Sequence, residues 1–505
     1  MSEQIEQARA DGRSALTEPE GKALAAQFGL AVPQSVLVSP NEDLHAALQG
    51  MAPPFVVKVV SPDILHKSDA GGVKVGLTDH AAVAEAVQDM AAIPAIASAN
   101  VEGYLVEEMA PAGQEIVIGG LNDPQFGPMV MVGLGGVFVE TLKDVAFRLC
   151  PISEADAHAM LAELKGKAIL EGARGSQAVS LDAIVKALLN VGGKDGLMHR
   201  YGNDIEELDI NPLIVNAESA VAVDARVILS AKAESEATAQ TNDAVPPVER
   251  FRPLFEPKTI AVIGASTTSS IIANTFIRRM KAYSYDGDIY PIHPKADEIE
   301  GLKAYPDLGQ TPKPIDYAYV ATRADRIPDM IGAAKGNVKF AQVISSGFRE
   351  VDEGVALEAD LLRQAKAAGC RIIGPNCLGL YSPRGKVTFP VDAPKELGTV
   401  GVVTQSGGLG TDIIKRGQWR GLRFSGLLTV GNCADIGPAD MLEFYLADPE
   451  TTVIGFYLED IGDGRRFFEL LRLSETQKPV VILKGGRSEL GRMAAASHTG
   501  ALADN

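Results

Sequence analysis

Apolar and polar positions alternate differently in the two halves of the chain. In the front half the patterns are mixed. Gly21 to Phe28 repeats with helical spacing and is closed by Gly29. Pro54 to Val60 (PFVVKVV) predicts a β-branched strand with one lysine inside it, and Val101 to Glu108 a strand ending on two carboxylates. Glu115–Leu121 and Met129–Leu134 predict an antiparallel pair joined by NDPQFGP, and Ala220–Val227 a late strand. This mixture predicts an α+β fold built on an antiparallel sheet.

The back half is patterned differently. Short apolar runs, each followed by a Gly-rich turn and a helical stretch, recur at Thr259–Gly264, Ile289–Ile292, Tyr317–Ala321, Phe340–Ser345, Arg371–Gly374, Gly398–Val403, Gly426–Val430, Val453–Leu458 and Pro479–Leu483. Buried strands alternating with helices predict doubly wound parallel sheets. Nine strands exceed one ordinary sheet, so the pattern divides near residue 390. Between the halves, Ala231 to Val248 (AKAESEATAQTNDAVPPV) lacks any hydrophobic period and predicts a linker. The expected organisation is an α/β multidomain chain with modules at 1–230, 251–390 and 391–505, joined by a linker at 231–250.

Composition narrows the function classes. The 505 residues carry a net charge of −18, which leaves no basic surplus for a nucleic-acid backbone. The N-terminus (MSEQIEQARADGRS) has no apolar core and no long apolar run follows, so neither a signal peptide nor a membrane span is expected, and we infer the cytoplasm. Cys150, Cys370, Cys377 and Cys433 form no CxxC pair and predict reduced, mostly buried thiols. The 51 glycines suit strand-to-helix turns that approach phosphates closely.

Those turns carry the candidate chemistry. TIAVIGAS runs a strand into Gly264-Ala265-Ser266; YPIHPK places Lys295 at a strand exit; ISSGFRE places Ser345-Ser346 at another, and IGPNCLGLY brings Asn376 to a fourth. Several such turns on one sheet edge predict a long polyphosphate ligand. GVVTQSGGLGTDI adds a second cradle, Ser406-Gly407-Gly408, at a helix start. Near the end, AAASHTGALADN holds a lone His498; by itself such a histidine is more often structural than catalytic. In the front half Lys58 stands mid-strand between apolar neighbours. In ELDINPLIV and AVDARV, Asp209, Asn211 and Asp224 offer oxygens on adjacent strands, which suits Mg²⁺.

The motifs SHTGAL, VGNCAD, YLEDIGDG and ILKGGRS, with TIAVIGAS, YPIHPK, ISSGF and GPNCLG in the same order, resemble the NDP-forming (ADP-forming) acyl-CoA synthetases of the acetate–CoA ligase type, relatives of succinyl-CoA synthetase. The front half resembles their ATP-grasp module, here placed first. The resemblance implies a Rossmann-like CoA-binding domain and a flavodoxin-like phosphohistidine domain. It implies that His498 is phosphorylated, that Glu459 in YLEDI holds its tautomer, and that His66 in HKSDAGG is a second phosphoryl acceptor. CoA would meet Gly264, Ala265, Ser266, Lys295, Ser345, Ser346 and Asn376, and phosphate would meet Ser406, Gly407 and Gly408. ATP would meet Lys58, Glu107, Glu108, Glu115 and Arg148, with Mg²⁺ on Asn211 and Asp224 and, further, Asp209.

The implied reaction joins a small carboxylic acid to CoA at the expense of ATP, releasing ADP and phosphate, in a homo-oligomer (a dimer). Two rivals use the same modules: a citryl-CoA-type ligase, and a CoA- or nucleotide-binding regulator on a decayed scaffold. Cys433 stands where the family often has lysine in GNKAD, which bears on acid choice. The chain runs seven residues past His498, so a further C-terminal domain or a second chain is expected to complete it.

Overall fold

The computed structural model describes residues 2–40, 42–61, 63–64, 67, 70–135, 144–172, 177–231, 245–268, 271–474 and 478–486. The chain divides into two units, Met1–Ala237 and Thr238–Asn505.

The front unit holds two antiparallel sheets. The smaller is formed by β1 (Ser35–Val38), β2 (Phe55–Val60), β3 (Val73–Leu77) and β4 (Gly103–Glu108) in the order β1-β4-β2-β3. Strand alternation sends Phe55, Val57 and Val59 to one face, where the helix His80–Ala91 covers them with Val83, Val87 and Met90. Lys58, between these apolar positions, therefore faces the other way.

The larger sheet comprises β5 (Gln114–Asp123), β6 (Gly127–Leu134), β7 (Val145–Leu149), β8 (Ile205–Val215), β9 (Ala220–Ala222) and β10 (Arg226–Leu229). Its order is β10-β8-β5-β6-β7, with β9 beside β8. The expected β5–β6 pair forms, closing with Asp123 opposite Gly127. The expected late strand Ala220–Val227 is instead two strands. β9 pairs one end of β8 and β10 the other, and the break between them carries Val223 and Asp224. The helix Glu18–Gln27 begins three residues before its apolar period, because the Thr17 amide donates to Glu20 Oε2 at 2.8 Å and Pro19 occupies the first turn. A Cβ on Gly21 would lie 2.3 Å from the Ala225 carbonyl oxygen, so only glycine lets this helix press on the β9–β10 break.

In the back unit β11 (Thr259–Ile263), β12 (Asp288–Ile292), β15 (Ile315–Val320), β16 (Val338–Val343) and β17 (Arg371–Ile373) form a parallel sheet in the order β12-β11-β15-β16-β17. A two-stranded hairpin, β13 (Glu298–Ile299) with β14 (Leu302–Lys303), interrupts the run after β12. The second sheet contains β18 (Leu380–Tyr381), β19 (Val400–Thr404), β20 (Phe424–Thr429), β21 (Val453–Leu458) and β22 (Val480–Lys484) in the order β18-β20-β19-β21-β22. Its strands are parallel except β18, which joins β20 antiparallel and belongs to this sheet although it precedes residue 390.

The two sheets share one hydrophobic core. Tyr317, Tyr319 and Phe340 from the first meet Val403 and Leu428 from the second and Phe444 and Tyr445 of the helix Pro438–Ala447, bridged by Phe251, Leu254 and Phe255 of the helix Pro247–Phe255. Phe255 stacks on Phe444 with ring centroids 4.2 Å apart. No disulfide forms among the cysteines; Cys150, Cys370 and Cys377 are buried and Cys433 half-buried. Among the described residues no helix is long and apolar enough to cross a membrane.

Candidate functional site

A cavity of ≈ 850 Å³ opens in the front unit. Lys58, Lys67, Glu108, Glu115, Asn211 and Asp224 line it, so most of the expected nucleotide residues meet there. Four buried charges sit at its wall. Lys58 Nζ reaches Glu18 Oε1 at 2.7 Å, Glu107 Oε2 at 2.9 Å and the Val223 carbonyl at 2.6 Å. Lys22 Nζ reaches the same Glu18 Oε1 at 2.6 Å and also pairs with Glu107. The side chains of Glu18 and Glu107 are each only 2% exposed, so the two lysines and two carboxylates form a closed square. Lys67 docks on the remaining Glu18 oxygen.

The electrostatics follow from this packing. Burial pushes the Glu18 carboxyl up, but the fields of Lys58, Lys22 and Lys67 outweigh it and hold the group at about 2. Burial likewise favours neutral Lys58, and Glu18 and Glu107 override it, keeping the ammonium charged well above its ordinary range. Glu18, Lys22 and Lys67 were not among the expected site residues. The i, i+4 pair Glu18–Lys22 in EPEGK was the signal available, but it reads equally as a surface helix pair.

The expected ligands divide on inspection. Glu107, expected at a nucleotide hinge, is committed to Lys22 and Lys58. Glu108 accepts from the Ala52 amide at 2.7 Å and borders the cavity with Glu115. Arg148 does not line the cavity; on the edge strand β7 it donates to Glu163 Oε2 at 3.1 Å and to its neighbour's carbonyl. Asn211 on β8 and Asp224 in the β9–β10 break both face the cavity, whereas Asp209 borders an adjoining hollow with Glu207. Burial, then Glu207 and Asp224, push the Asp209 carboxyl up; burial, then Glu18, push Asp224 up. A divalent cation would relieve that crowding. No cluster of three or more His, Cys, Asp or Glu forms a cation cage among the described residues. One or two protein oxygens at a cavity that Lys58 and Lys67 also line fit the chemistry of Mg²⁺, which takes few protein ligands and keeps water or phosphate oxygens in its shell.

In the back unit the parallel sheet brings the exits of β11, β12, β15 and β16 to one carboxyl edge, with the order reversing beside β11. Gly264 has φ +96°, and a Cβ there would lie 2.1 Å from the Ala321 carbonyl oxygen, so the turn needs glycine. Ala265 is buried behind it. Asn274, in the helix Ile272–Ala282, accepts from the Ser266 amide and donates to the Ser266 carbonyl, both at 2.8 Å. That amide is therefore spent on the turn, and the Ser266 hydroxyl caps Thr268 instead. His293 Nδ1 accepts from the amides of Lys295 and Ala296, shaping the turn that leaves Lys295 exposed. Ser345 donates to the Thr322 carbonyl, Ser346 is exposed, and the Asn376 amide donates to the Ser345 carbonyl at 3.1 Å.

The second sheet brings two further expectations together. Ser406 caps the helix Gly407–Trp419, accepting from the Leu409 amide at 3.3 Å. A Cβ on Gly407 would strike Leu378 at 2.5 Å, while Gly408 faces open space, so the helix start has room for an anion. Glu459 lies buried at the exit of the neighbouring strand β21. Gln405 ties the two: its Oε1 accepts from the amides of Glu459 and, at 2.9 Å, Asp460, while its Nε2 donates to Cys433 Sγ at 3.2 Å. Tyr457 donates to Glu459 Oε1 at 3.1 Å. Gln405 was not singled out in TQSGG, because nothing in a single strand shows which neighbour it will meet. His66 and His498 lie outside the described residues.

Comparison with known proteins agrees with this layout. An ATP-grasp domain family matches residues 7–229, a CoA binding domain family residues 258–383, and a succinyl-CoA ligase like flavodoxin domain family residues 397–505. The chain is 35% identical over 494 residues to acetate–CoA ligase [ADP-forming] II of Archaeoglobus fulgidus, covering 96% of this chain and 70% of that protein. It is 42% identical to the beta subunit of acetate–CoA ligase [ADP-forming] I of Pyrococcus furiosus, over 45% of this chain and 96% of that subunit. It is also similar to a solved structure of dinucleotide forming acetyl-coenzyme A synthetase 1 from Ca. Korarchaeum cryptofilum in complex with coenzyme A and Ca-AMPCP, at 41% identity and TM-score 0.42, over 45% of this chain and 98% of that one. With an ATP-grasp module, a CoA-binding module and a succinyl-CoA-ligase-like module in one polypeptide, the chain belongs to the family of ADP-forming acetate–CoA ligases.

Proposed function

We propose that this chain is an acid–CoA ligase that converts a small carboxylic acid, CoA and ATP to acyl-CoA, ADP and phosphate. The observation that carries the reading is the cavity in which Lys58, Lys67, Asn211 and Asp224 converge. Two ammonium groups and two oxygen ligands at one cavity are what a Mg²⁺-bound triphosphate requires. Mg²⁺ on Asn211 and Asp224 would offset phosphate charge; the protein's own share is to orient the chain of phosphates and screen it from water.

A carboxylate is a poor electrophile, so it is activated as an acyl phosphate, and the CoA thiol then displaces phosphate. His498 carries the phosphoryl group between sites, His66 serves as a second acceptor, and Glu459 orients His498 by accepting from its ring. The Ser406-Gly407-Gly408 turn holds the travelling phosphate at the helix start. CoA lies along the β11–β16 edge, against Gly264, Ala265, Ser266, Lys295, Ser345, Ser346 and Asn376.

The test is incubation with γ-labelled ATP and Mg²⁺, followed by mapping of acid-labile label. Label on His498 that disappears in His498→Ala is expected; label elsewhere, or unaffected by that change, sinks the histidine relay. A panel of acids is then scored by CoA-dependent ADP release. ATP and CoA binding with no ADP release for any acid would favour the regulator reading instead.

A further inference from the structure

On the far side of the small sheet from Lys58, two histidines meet. His45 lies in the helix Leu44–Ala47, and His80 opens the helix His80–Ala91. They are 35 positions apart in the chain, yet their Nδ1 atoms stand 3.3 Å apart. Both sit on capped turns. Asp43 Oδ1 accepts from the His45 amide at 3.0 Å, and Asp79 Oδ1 accepts from the Ala82 amide at 2.9 Å. His80 also packs on Phe55, with ring centroids 5.8 Å apart. The two histidines line a hollow of ≈ 500 Å³ together with Glu42 and Asp43. His45 is exposed and His80 half-buried, so solvent reaches the pair.

The separation of the two nitrogens is informative. It exceeds the usual N–H donor distance of about 2.7–3.2 Å. Two imidazole nitrogens on a tetrahedral zinc, each about 2.0–2.1 Å from it, stand about 3.3–3.4 Å apart. The right angle of an octahedral or square ion would bring them to about 2.9 Å. The ring planes are inclined by 64° with centroids 5.4 Å apart, so the rings meet through these nitrogens and not face to face.

We propose that His45 and His80 form a binding site for a divalent transition-metal ion of the zinc class, held by both Nδ1 atoms. No third His, Cys, Asp or Glu is gathered with them among the described residues, so water completes the shell. Imidazole suits zinc, whereas Mg²⁺ prefers oxygen ligands, so this site is chemically distinct from Asn211 and Asp224 and does not rest on the nucleotide reading. Bound there, the ion ties the helix Leu44–Ala47 to the helix His80–Ala91.

The test uses the full chain, stripped with EDTA, dialysed and held in excess Mg²⁺. It is titrated with Zn²⁺ against a chromogenic competitor. The variants are His45→Gln, His80→Phe and the two combined. His45 is exposed, and phenylalanine keeps a ring against Phe55, so the variants keep the fold. The wild type should bind a Zn²⁺ equivalent whose Kd weakens at least about tenfold in either single variant. The double variant should be within about twofold of the singles, because either change dismantles the same pair. Two results overturn the proposal. One is a wild type that takes up no Zn²⁺ in excess Mg²⁺. The other is Zn²⁺ binding equally tight in both single variants, which would leave the contact as a hydrogen bond between two neutral rings and place the ion elsewhere.

Discussion

Replacing Glu18 by Gln removes the anion that Lys22, Lys58 and Lys67 share, at a side chain only 2% exposed. A carboxyl held at about 2 against an ordinary 4.5 corresponds to about 3 kcal/mol of stability at neutral pH. Breaking a buried pair by deleting one partner costs about 3–5 kcal/mol, so the two routes agree. The folded value is depressed, so this stability is fully present above about 4.5 and drains away as the pH falls toward about 2. Cys150, 1% exposed, is the front unit's only cysteine, and the other three lie in the back unit. Urea unfolding of the front unit can thus be followed by alkylation of the Cys150 peptide alone. With a slope of about 3 kcal/mol per molar for a unit of this size, Glu18→Gln should lower the midpoint by about 1 M at pH 7. The difference between the two proteins should shrink as the pH drops below about 4.5, because the wild type loses the same charge. A midpoint moved by less than about 0.3 M, or a difference unchanged down to pH 3, would refute the shared-anion argument.

Three further outcomes can be checked together. Gly264→Ala should cost about 2–4 kcal/mol by calorimetry of the back unit, since its Cβ meets a backbone carbonyl at 2.1 Å and its φ is positive. Gln405→Leu leaves the buried Glu459 amide without its acceptor, a loss of about 2 kcal/mol that should accompany slower turnover of the histidine label. Arg148→Ala, which breaks a half-exposed pair with Glu163, should change stability by less than about 1 kcal/mol and leave the KM for ATP unaltered; a large rise in that KM would return Arg148 to the nucleotide site.

Much of the fold was legible in local pattern. Buried parallel strands read as continuous apolar runs, and all nine expected in the back half are present. The β5–β6 hairpin was equally plain, because period-two alternation and a turn are local properties. The two-residue strand β18 and the β13–β14 hairpin escaped notice, being too short to carry a period. Ala220–Val227 looked continuous because nothing local says that β8 will be paired from both ends, yet the break at Val223 and Asp224 is what turns an aspartate into the cavity.

The candidate site divides along the same line. Lys58 stood out because a lysine between apolar neighbours is costly unless something receives it, and Gly264 and Ser406 because strand-to-helix turns have a recognisable chemistry. What receives Lys58 could not be read: Glu18 lies forty positions earlier and Glu107 forty-nine later, each ordinary in its own segment. Their meeting depends on Gly21 letting one helix close on the Ala225 carbonyl and on β2 pairing with β4. Periodicity and turn chemistry act over a few residues and are written in the chain. Charge pairing acts over a few ångströms, and only the folded backbone decides which residues come that close.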